Sequence, residues 1–412
     1  MCYKLNEDSW TVILQYVGLK DQLSLMQVSE EMNTIVQNNW RYIKEAHMDK
    51  DILGEFNEEP NEMHNFLKLA CRSLQRLLLY GPFLNELLPS WKSYDFPKVR
   101  SLDCATWFAY EHDDDVTLLL TELFPELTKL TLRNTNHGHH LWNFRKLQEL
   151  TLHSSSLDTP TLDRIFGSLP LRKLSLFPFC TSEVGDLSLV HKCATLEELL
   201  IEDYNLTFGT LSSLLKLSRF QRLCFYTRDY YYNYMRNLKH LDQESRVRSL
   251  LFNSCSWYFH DDLGLCVARF SNLCRLVVQD DDINMKQLYI ICSNLKILEE
   301  LHLIDIRDFP FATDMWNMVG ACRTLKVLNI SDNKLHEFFL EESSTCLNKV
   351  LKRRNANSPV TFHVHKTRLA NDPQRTIDAL HHPYLKISFN PVHIDTLTIE
   401  KRAFIETEFR PF

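Results

Sequence analysis

A short apolar phrase recurs along most of this chain. An apolar residue is followed after two residues by a leucine and, one residue later, by a second apolar residue, in eleven copies between residues 74 and 330. The copies begin at Leu74, Val99, Leu127, Leu147, Leu171, Leu196, Phe220, Val247, Leu273, Leu298 and Leu325. Because this spacing is nearly regular, with a period in the range of known repeat architectures, the pattern indicates a stack of similar units, which usually builds a binding surface.

Each repeat predicts one strand followed by one helix. The leucine and the apolar residue that ends the phrase are separated by one variable position, so they share one face of a short strand. The segments that follow change to helical spacing, as at 116–124, 162–169, 263–270 and 283–295. One such unit cannot bury its apolar face alone, so neighbouring units must cover it. Because a helix returns the chain between strands, we expect one parallel sheet.

Four cysteines share a place in this pattern. Cys71, Cys193 and Cys322 each stand three residues before a repeat begins, and Cys292 stands three before Leu295. This placement suits a small buried thiol at the corner between helix and strand. With the leucine phrase, it resembles the leucine-rich-repeat family over about residues 65–340. The resemblance implies an α/β fold, a right-handed leucine-rich-repeat solenoid with its parallel sheet on the concave face and its helices outside.

The N-terminal residues follow a different pattern. Three short apolar faces at helical spacing succeed one another, and helices this short must pack on each other or on a partner. The order Leu5-Asn6, Asp8, Trp10, Ile13-Leu14, Tyr16-Val17, Asp21-Gln22-Leu23, Val28-Ser29 and Met32 resembles the F-box, a small three-helix module. Three residues depart from that family's pattern: Asn6 stands for Pro, Ser29 for Cys and Met32 for Trp.

The F-box resemblance implies partners. In that family the helices dock on a Skp-type adaptor, which connects the protein to the cullin scaffold of an SCF-type ubiquitin ligase, and the repeats hold a protein substrate. The residues carried over as adaptor-binding are Leu5, Trp10, Ile13, Leu14, Val17, Leu23, Val28 and Met32. The main hypothesis is therefore a substrate-recognition adaptor. The alternative is a non-ligase leucine-rich-repeat scaffold for protein interactions, whose N-terminal helices only cap the solenoid.

These patterns divide the chain into four parts. Residues 1–45 are expected to form the F-box-like module, 46–70 a helical connector and cap, 71–340 the leucine-rich repeats, and 341–412 degenerate repeats with a C-terminal tail. In the last part, alternating apolar residues at 360–364 and 385–389 predict two further strands. The tail from Pro391 has a strand-like run at 394–399. We expect this tail either to cover the last repeat or to lie loose.

The composition of the chain argues against two classes of partner, nucleic acids and membranes. The net charge is −7 over 412 residues, which argues against nucleic acid, because clustered Lys and Arg supply most of the affinity for phosphate backbones. No stretch approaches the ~20 apolar residues of a membrane span, and no apolar signal core begins the chain. The twelve cysteines form no Cys-x-x-Cys pair, as is usual in a reducing compartment. The sequence therefore predicts a cytoplasmic or nuclear protein with no membrane partner.

The candidate chemical motifs are weak. His137-Gly-His139-His140 has no cysteine or carboxylate at ligand spacing, which favours a solvated loop over a metal site. Asp280-Asp281-Asp282 lacks the alternating ligands and central glycine of a calcium loop. No phosphate-binding loop or nucleophile elbow occurs. We therefore expect no enzymatic activity, no cofactor and no metal.

One part of the repeats is the candidate substrate site. The residue between the two apolar positions of the strand should face the concave side, and this position is apolar from Leu200 to Val277, as in a surface that needs a partner or a lid. Aromatic segments follow two neighbouring strands, and they either contact a partner or pack on their own repeats. The predicted substrate-binding residues are Leu200, Tyr226, Arg228, Tyr230, Tyr231, Tyr232, Leu251, Trp257, Tyr258, Val277 and His302.

Overall fold

The computed structural model describes most of the chain as alternating strands and helices. The described residues are 5–81, 84–106, 113–133, 137–154, 156–177, 184–227, 234–241, 246–255, 262–282, 284–352, 359–397 and 403–410. They fall into two compact units, Met1–Leu196 and Glu197–Phe412. Both units contain parallel strands that alternate with helices, so the predicted leucine-rich-repeat α/β class is confirmed.

The first unit begins with helices and continues into a parallel sheet. Its helices are α1 (Glu7–Leu14), α2 (Leu19–Met26), α3 (Glu30–Trp40), α4 (Lys50–Glu58), α5 (Pro60–Ala70), α6 (Leu84–Leu87), α7 (Asp113–Leu123) and α8 (Thr159–Ser168). Its strands, which pair in chain order, are β1 (Glu45–Met48), β2 (Arg76–Gly81), β3 (Ser101–Thr106), β4 (Lys129–Arg133), β5 (Glu149–His153) and β6 (Lys173–Phe177). The sheet thus starts one strand before the first leucine phrase, inside the segment expected to be helical.

The second unit repeats this alternation. Its helices are α9 (Phe208–Leu214), α10 (Tyr234–Leu241), α11 (Leu263–Val267), α12 (Met285–Asn294), α13 (Ala312–Ala321), α14 (Phe339–Leu351) and α15 (Pro373–Ala379). Its strands are β7 (Glu198–Glu202), β8 (Arg222–Thr227), β9 (Val247–Asn253), β10 (Arg275–Gln279), β11 (Glu300–Ile304), β12 (Val327–Asn329), β13 (Val360–His363), β14 (Leu385–Ser388) and β15 (Ala403–Phe409). Strands β13 and β14 lie where the alternating apolar residues at 360–364 and 385–389 predicted strands.

The leucine phrase forms the core of both units. The central leucine of every copy, from Leu77 to Leu328, is at most 2% exposed, and burying a leucine side chain contributes about 2 kcal/mol. The four cysteines at the helix-to-strand corner are buried as predicted. Cys193 directs its thiol toward the Leu171 carbonyl at 3.5 Å, and burial raises the pKa of that thiol. These cysteines therefore serve as small core residues.

Buried side chains tie the turns of successive repeats in the second unit. Asn333 donates to the carbonyls of Leu303 and Ile330, both at 2.7 Å, and accepts from the Ile306 amide at 2.7 Å. One carboxylate oxygen of Asp281 accepts from the Cys255 amide at 2.7 Å in the same way. The acidic run at 280–282 therefore stabilises the turn.

The C-terminal tail lies where neither expectation placed it. The described part of the expected strand, residues 394–397, has no regular structure. Strand β15 instead runs antiparallel between β8 and β9, so the order in the second unit is β7-β8-β15-β9 and then β10 to β14. Alternation in the leucine phrase cannot predict this insertion, because the paired residues, such as Glu406 and Leu251, are distant in the chain.

We expect Asn333→Ala to lower the free energy of unfolding by about 2 kcal/mol, because it leaves buried backbone groups without partners. Urea denaturation measures this change. The matched control is Lys334→Ala at the next, exposed position, which should stay within about 0.5 kcal/mol of the parent chain. Equal losses in the two variants would contradict the role given to Asn333.

We also expect the stability of the chain to fall as the pH drops below about 6.5. Burial lowers the pKa of His363 from its usual 6.5; a backbone interaction with Asn390 opposes this, and the charges of His302 and Lys386 add smaller decreases. Protons therefore bind the unfolded chain first as the pH falls, which favours unfolding. In thermal melts from pH 7.5 to 5.5, His363→Gln should show a shallower fall in Tm than the parent chain, whereas a control, His381→Gln at an exposed position, should follow the parent.

Candidate functional site

Helix capping accounts for two departures from the F-box pattern. Asn6 precedes α1, and its side-chain oxygen accepts from the Ser9 amide at 2.8 Å. Ser29 precedes α3, and its hydroxyl accepts from the Met32 amide at 3.1 Å. Both residue types are preferred N-caps, which stabilise a helix by about 1 kcal/mol. The replacements thus supply the starts of two helices.

A buried glutamine holds the N-terminal helices together. The side-chain amide of Gln22 on α2 donates to the carbonyls of Leu14 at 3.1 Å and Val17 at 2.8 Å, at the end of α1. Its carbonyl oxygen accepts from the indole of Trp40 on α3 at 2.8 Å. The Trp40 ring packs edge-to-face on Phe66 of α5, with centroids 5.1 Å apart. The module is therefore fixed internally and packed on α5.

The predicted adaptor-binding residues separate by exposure. Leu14 and Leu23 are buried and belong to the core of the module. Trp10, Val17 and Met32 are half-buried. The exposed large apolar residues of the module are Leu5, Val12, Ile13, Tyr16, Val28 and Tyr42, with Tyr16 at 87%, Tyr42 at 73% and Val28 at 71%. We call the first five of these, Leu5 to Val28, the N-terminal apolar surface; Val12 and Tyr16 are not among the residues predicted from the F-box pattern.

In each strand, one residue stands between the two apolar positions. We call the face of the sheet that bears this residue the outer face. In the first unit, this face carries a row of polar and aromatic residues. Arg133 on β4 donates to both carboxylate oxygens of Asp103 on β3 at 3.2 Å. Burial and Asp103 raise the pKa of Tyr80, on β2, to about 12. His153 on β5 stacks on Phe177 of β6, with centroids 4.5 Å apart. Except for Asp103, each of these residues lies two positions after the residue that stands between the two apolar positions of its strand.

The predicted substrate-binding residues of the second unit are not on an open surface. Tyr226, Leu200, Leu251, Val277 and His302 are all buried, with exposures of 0 to 4%. The expectation that an apolar stripe is exposed here is therefore wrong. The other predicted residues, Arg228, Tyr230, Tyr231, Tyr232, Trp257 and Tyr258, lie outside the described residues.

The inserted strand lies within this part of the sheet, and the tail before it lies against one face. In the antiparallel register Glu406 lies opposite Cys224 of β8 and Leu251 of β9, the two outer-face positions of those strands. A cavity of about 230 Å³ is lined by Gln279, Ile304 and Asn329 and by tail residues Pro391, Val392, Ile394 and Thr396. The chain's own C-terminal segment thus supplies the lid that an apolar stripe requires.

A buried carboxylate anchors the inserted strand. Glu406 is 3% exposed, and one of its oxygens accepts from Nε of Arg222 on β8 at 3.0 Å. Its other oxygen accepts from the Leu397 amide at 2.9 Å. Burial raises the pKa of Glu406, and the hydrogen bond from Arg222 opposes that rise. Arg222 also lies 3.2 Å from Asp395 and 3.8 Å from Glu198, so one arginine gathers three acids.

A second, weaker charge row lies beside the first. Nη1 of Arg275 on β10 lies 3.9 Å from Glu408 of β15, and its Nε lies 3.6 Å from Glu300 of β11. His302 lies 3.4 Å from Glu300 and, with Arg275, lowers the pKa of that carboxyl. Both acids of β15 therefore face arginines on the strands around it, although Glu408 is more exposed than Glu406.

The described residues contain neither a metal-binding cluster nor a membrane-spanning helix. Among them, no group of three or more His, Cys, Asp or Glu could hold a metal ion. In the same ranges, no helix is long and apolar enough to cross a membrane. The features with the clearest geometry are thus the N-terminal apolar surface and the inserted strand.

Comparison with family models identifies the N-terminal module. Residues 3–44 match the F-box domain, which spans α1, α2 and α3. The chain therefore carries an F-box domain followed by leucine-rich-repeat-like parallel sheets, and the recognition made from the sequence is confirmed. No curated protein matches the chain.

Several solved structures are similar to the chain at low identity. An internalin from Listeria monocytogenes is 14% identical with a TM-score of 0.29, over 71% of this chain and 76% of that one. The TLR13–ssRNA13 complex gives 13% identity and a TM-score of 0.34, over 85% and 65%. The mouse RP105/MD-1 complex is 14% identical with a TM-score of 0.40, over 79% of this chain and 53% of that one. This chain thus spans less than two thirds of the length of the last two structures.

We expect Glu406→Ala to lower the free energy of unfolding by about 2 kcal/mol, because the change removes charged hydrogen bonds from a buried site. The matched control is Glu408→Ala on the same strand, where the side chain is 37% exposed and the expected loss is at most about 1 kcal/mol. Urea denaturation measures the free energy of unfolding of each variant relative to the parent chain. A larger loss for Glu408→Ala would contradict the anchoring role of Glu406.

Proposed function

We propose that this protein is the substrate-recognition adaptor of an SCF-type ubiquitin ligase. The observation that carries the proposal is an F-box domain whose core is complete and whose surface carries exposed apolar residues. Gln22, Leu14 and Leu23 complete the interior, whereas Ile13 and Val28 are 38% and 71% exposed. Apolar residues exposed together commonly mark a site of protein interaction.

In this proposal the N-terminal apolar surface docks on a Skp-type adaptor, which recruits the cullin scaffold. The half-buried Trp10, Val17 and Met32 border that surface, and the buried Leu14 and Leu23 act by holding the helices in place. The N-caps Asn6 and Ser29 keep the starts of α1 and α3 formed without the family's Pro and Cys. Docking would therefore depend on apolar contact at Ile13 and Val28.

The repeats supply the substrate-binding part, and the protein performs no chemistry of its own. The boundaries proposed for this division are 1–45 for docking, 46–70 as the connector, 71–340 as the main repeat array and 341–412 for the degenerate repeats and tail. The half-buried row formed by Tyr80, Arg133 and Phe177 suits a protein surface, because aromatic residues and arginine are enriched at such interfaces. Transfer of ubiquitin would be carried out by other subunits.

Co-purification tests the docking. The chain co-expressed with a Skp-type adaptor should elute with it, and the double variant Ile13→Asp, Val28→Asp should lose affinity by about 100-fold, because two charges would enter a desolvated contact. Both positions are exposed, so the thermal melt of the variant should be unchanged.

The matched control is Tyr204→Asp, an exposed aromatic position outside the module, which should retain the adaptor. If the adaptor fails to bind the parent chain, or binds the double variant equally well, the docking proposal is wrong. The alternative of a non-ligase scaffold, in which the N-terminal helices only cap the repeats, would then account for the chain.

A further inference from the structure

Strand β15 is the one described strand of the second unit that runs against its neighbours. The pairs β7–β8, β9–β10, β10–β11 and those that follow to β14 are parallel. The repeats containing β8 and β9 begin at Phe220 and Val247, a spacing like that of the other repeats. No unusual insertion therefore separates β8 from β9 in sequence, and an added strand occupies the space where two repeats would otherwise pair.

We call this space the strand slot. An extended segment in it forms backbone hydrogen bonds with the strands on both sides. In neighbouring repeats the residue before a strand donates to the preceding repeat, as the Gln221 amide does to the Glu197 carbonyl at 2.8 Å. At the slot, the carbonyls of Gln221 and Arg246 instead accept from the amides of Phe409 and Arg410, both at 2.8 Å. The backbone of β15 thus replaces the direct contact between two repeats.

The side chains of β15 show what the slot selects. Ile405 and Thr407 face the core and are buried. Phe409 packs on Phe220, with ring centroids 5.6 Å apart, and the Arg246 guanidinium lies 5.8 Å from the Phe409 ring. Glu406 meets Arg222 on the outer face. An occupant therefore needs an apolar residue beside a buried acid and an aromatic residue three positions after that acid.

We propose that the strand slot is a binding site for an acidic, extended segment of a partner protein, and that residues 403–410 fill it in cis. Such strand addition gains affinity from main-chain hydrogen bonds and specificity from alternate side chains. The charge of the site supports an acidic ligand, because Arg222 and Arg275 flank the slot and both face acids of β15. This inference deepens the proposed substrate role of the repeats and rests on it.

The tethered strand has an advantage over any separate segment. A segment joined to its own site binds at an effective concentration in the millimolar range, so a separate peptide competes poorly until the tail is released. A partner segment would thus enter when its own contacts with the rest of the protein offset that advantage. The buried positions Leu251 and Tyr226 would then belong to a site that opens with the tail.

The test releases the tail after folding. Residues 398–402 are replaced with a protease recognition sequence in the full chain, the purified protein is cleaved, and a fluorescent peptide with the sequence of residues 403–412 is added. Fluorescence anisotropy should show saturable binding to the cleaved protein and affinity about 100-fold lower for the uncleaved protein.

Two peptide variants test the chemistry. The Glu406→Lys peptide should bind about 100-fold more weakly, because it places a positive charge beside Arg222. The Glu408→Lys peptide is the matched control and should bind within about threefold of the parent, because that position is partly exposed. The full chain carrying Glu406→Lys provides a second route, since its weakened tail should let the parent peptide bind without cleavage.

Three results would overturn the proposal. The cleaved strand could stay in place without exchanging, which would make it a permanent part of the sheet. The cleaved protein could bind no peptide because β8 and β9 close on each other. The Glu406→Lys peptide could bind as well as the parent. Because no ligase adaptor takes part, failure here leaves the docking test under the proposed function unaffected.

Discussion

Mutual burial between neighbouring repeats is the constraint on which each unit of this protein depends. A single strand-and-helix unit exposes its leucines, and only the next unit covers them. The central leucines of the phrase are accordingly almost fully buried from Leu77 to Leu328. Buried Asn333 and Asp281 extend the same dependence to the turns, where each satisfies a backbone amide of the preceding repeat.

The inserted strand β15 shows that a repeat can also depend on a segment that is not its neighbour in the chain. Between β8 and β9 the pairing partner is a strand distant in the chain, so the backbone groups along these two edges are paired by residues 403–410. A buried carboxylate is costly unless hydrogen bonds compensate it, and Arg222 with the Leu397 amide provides that compensation for Glu406. The strand is therefore placed by apolar anchors such as Phe409 and by one specific charge pair.

The N-terminal module separates structure from interaction. Gln22 and Trp40 fix its interior through hydrogen bonds, while Tyr16 and Val28 remain exposed. An interior held by polar contacts lets the outer apolar residues serve a partner without being needed for folding. This separation is why substitutions at Ile13 and Val28 can test docking without unfolding the chain.

The sequence by itself determined the repeat, the F-box pattern and many residues of the core, because these depend on local spacing, which places Leu130 and Leu150 on a buried face. That Asn6 and Ser29 cap helices was seen only in the structure. Only the tertiary structure decided which surfaces are open. Leu200 and Val277 occupy outer-face positions, yet both are buried, and β15 pairs within the sheet between two strands that are distant from it in the chain. Such a long-range contact leaves no periodic signal, because the pairing of Glu406 with Arg222 depends on the path of the folded tail and not on the spacing of neighbouring residues.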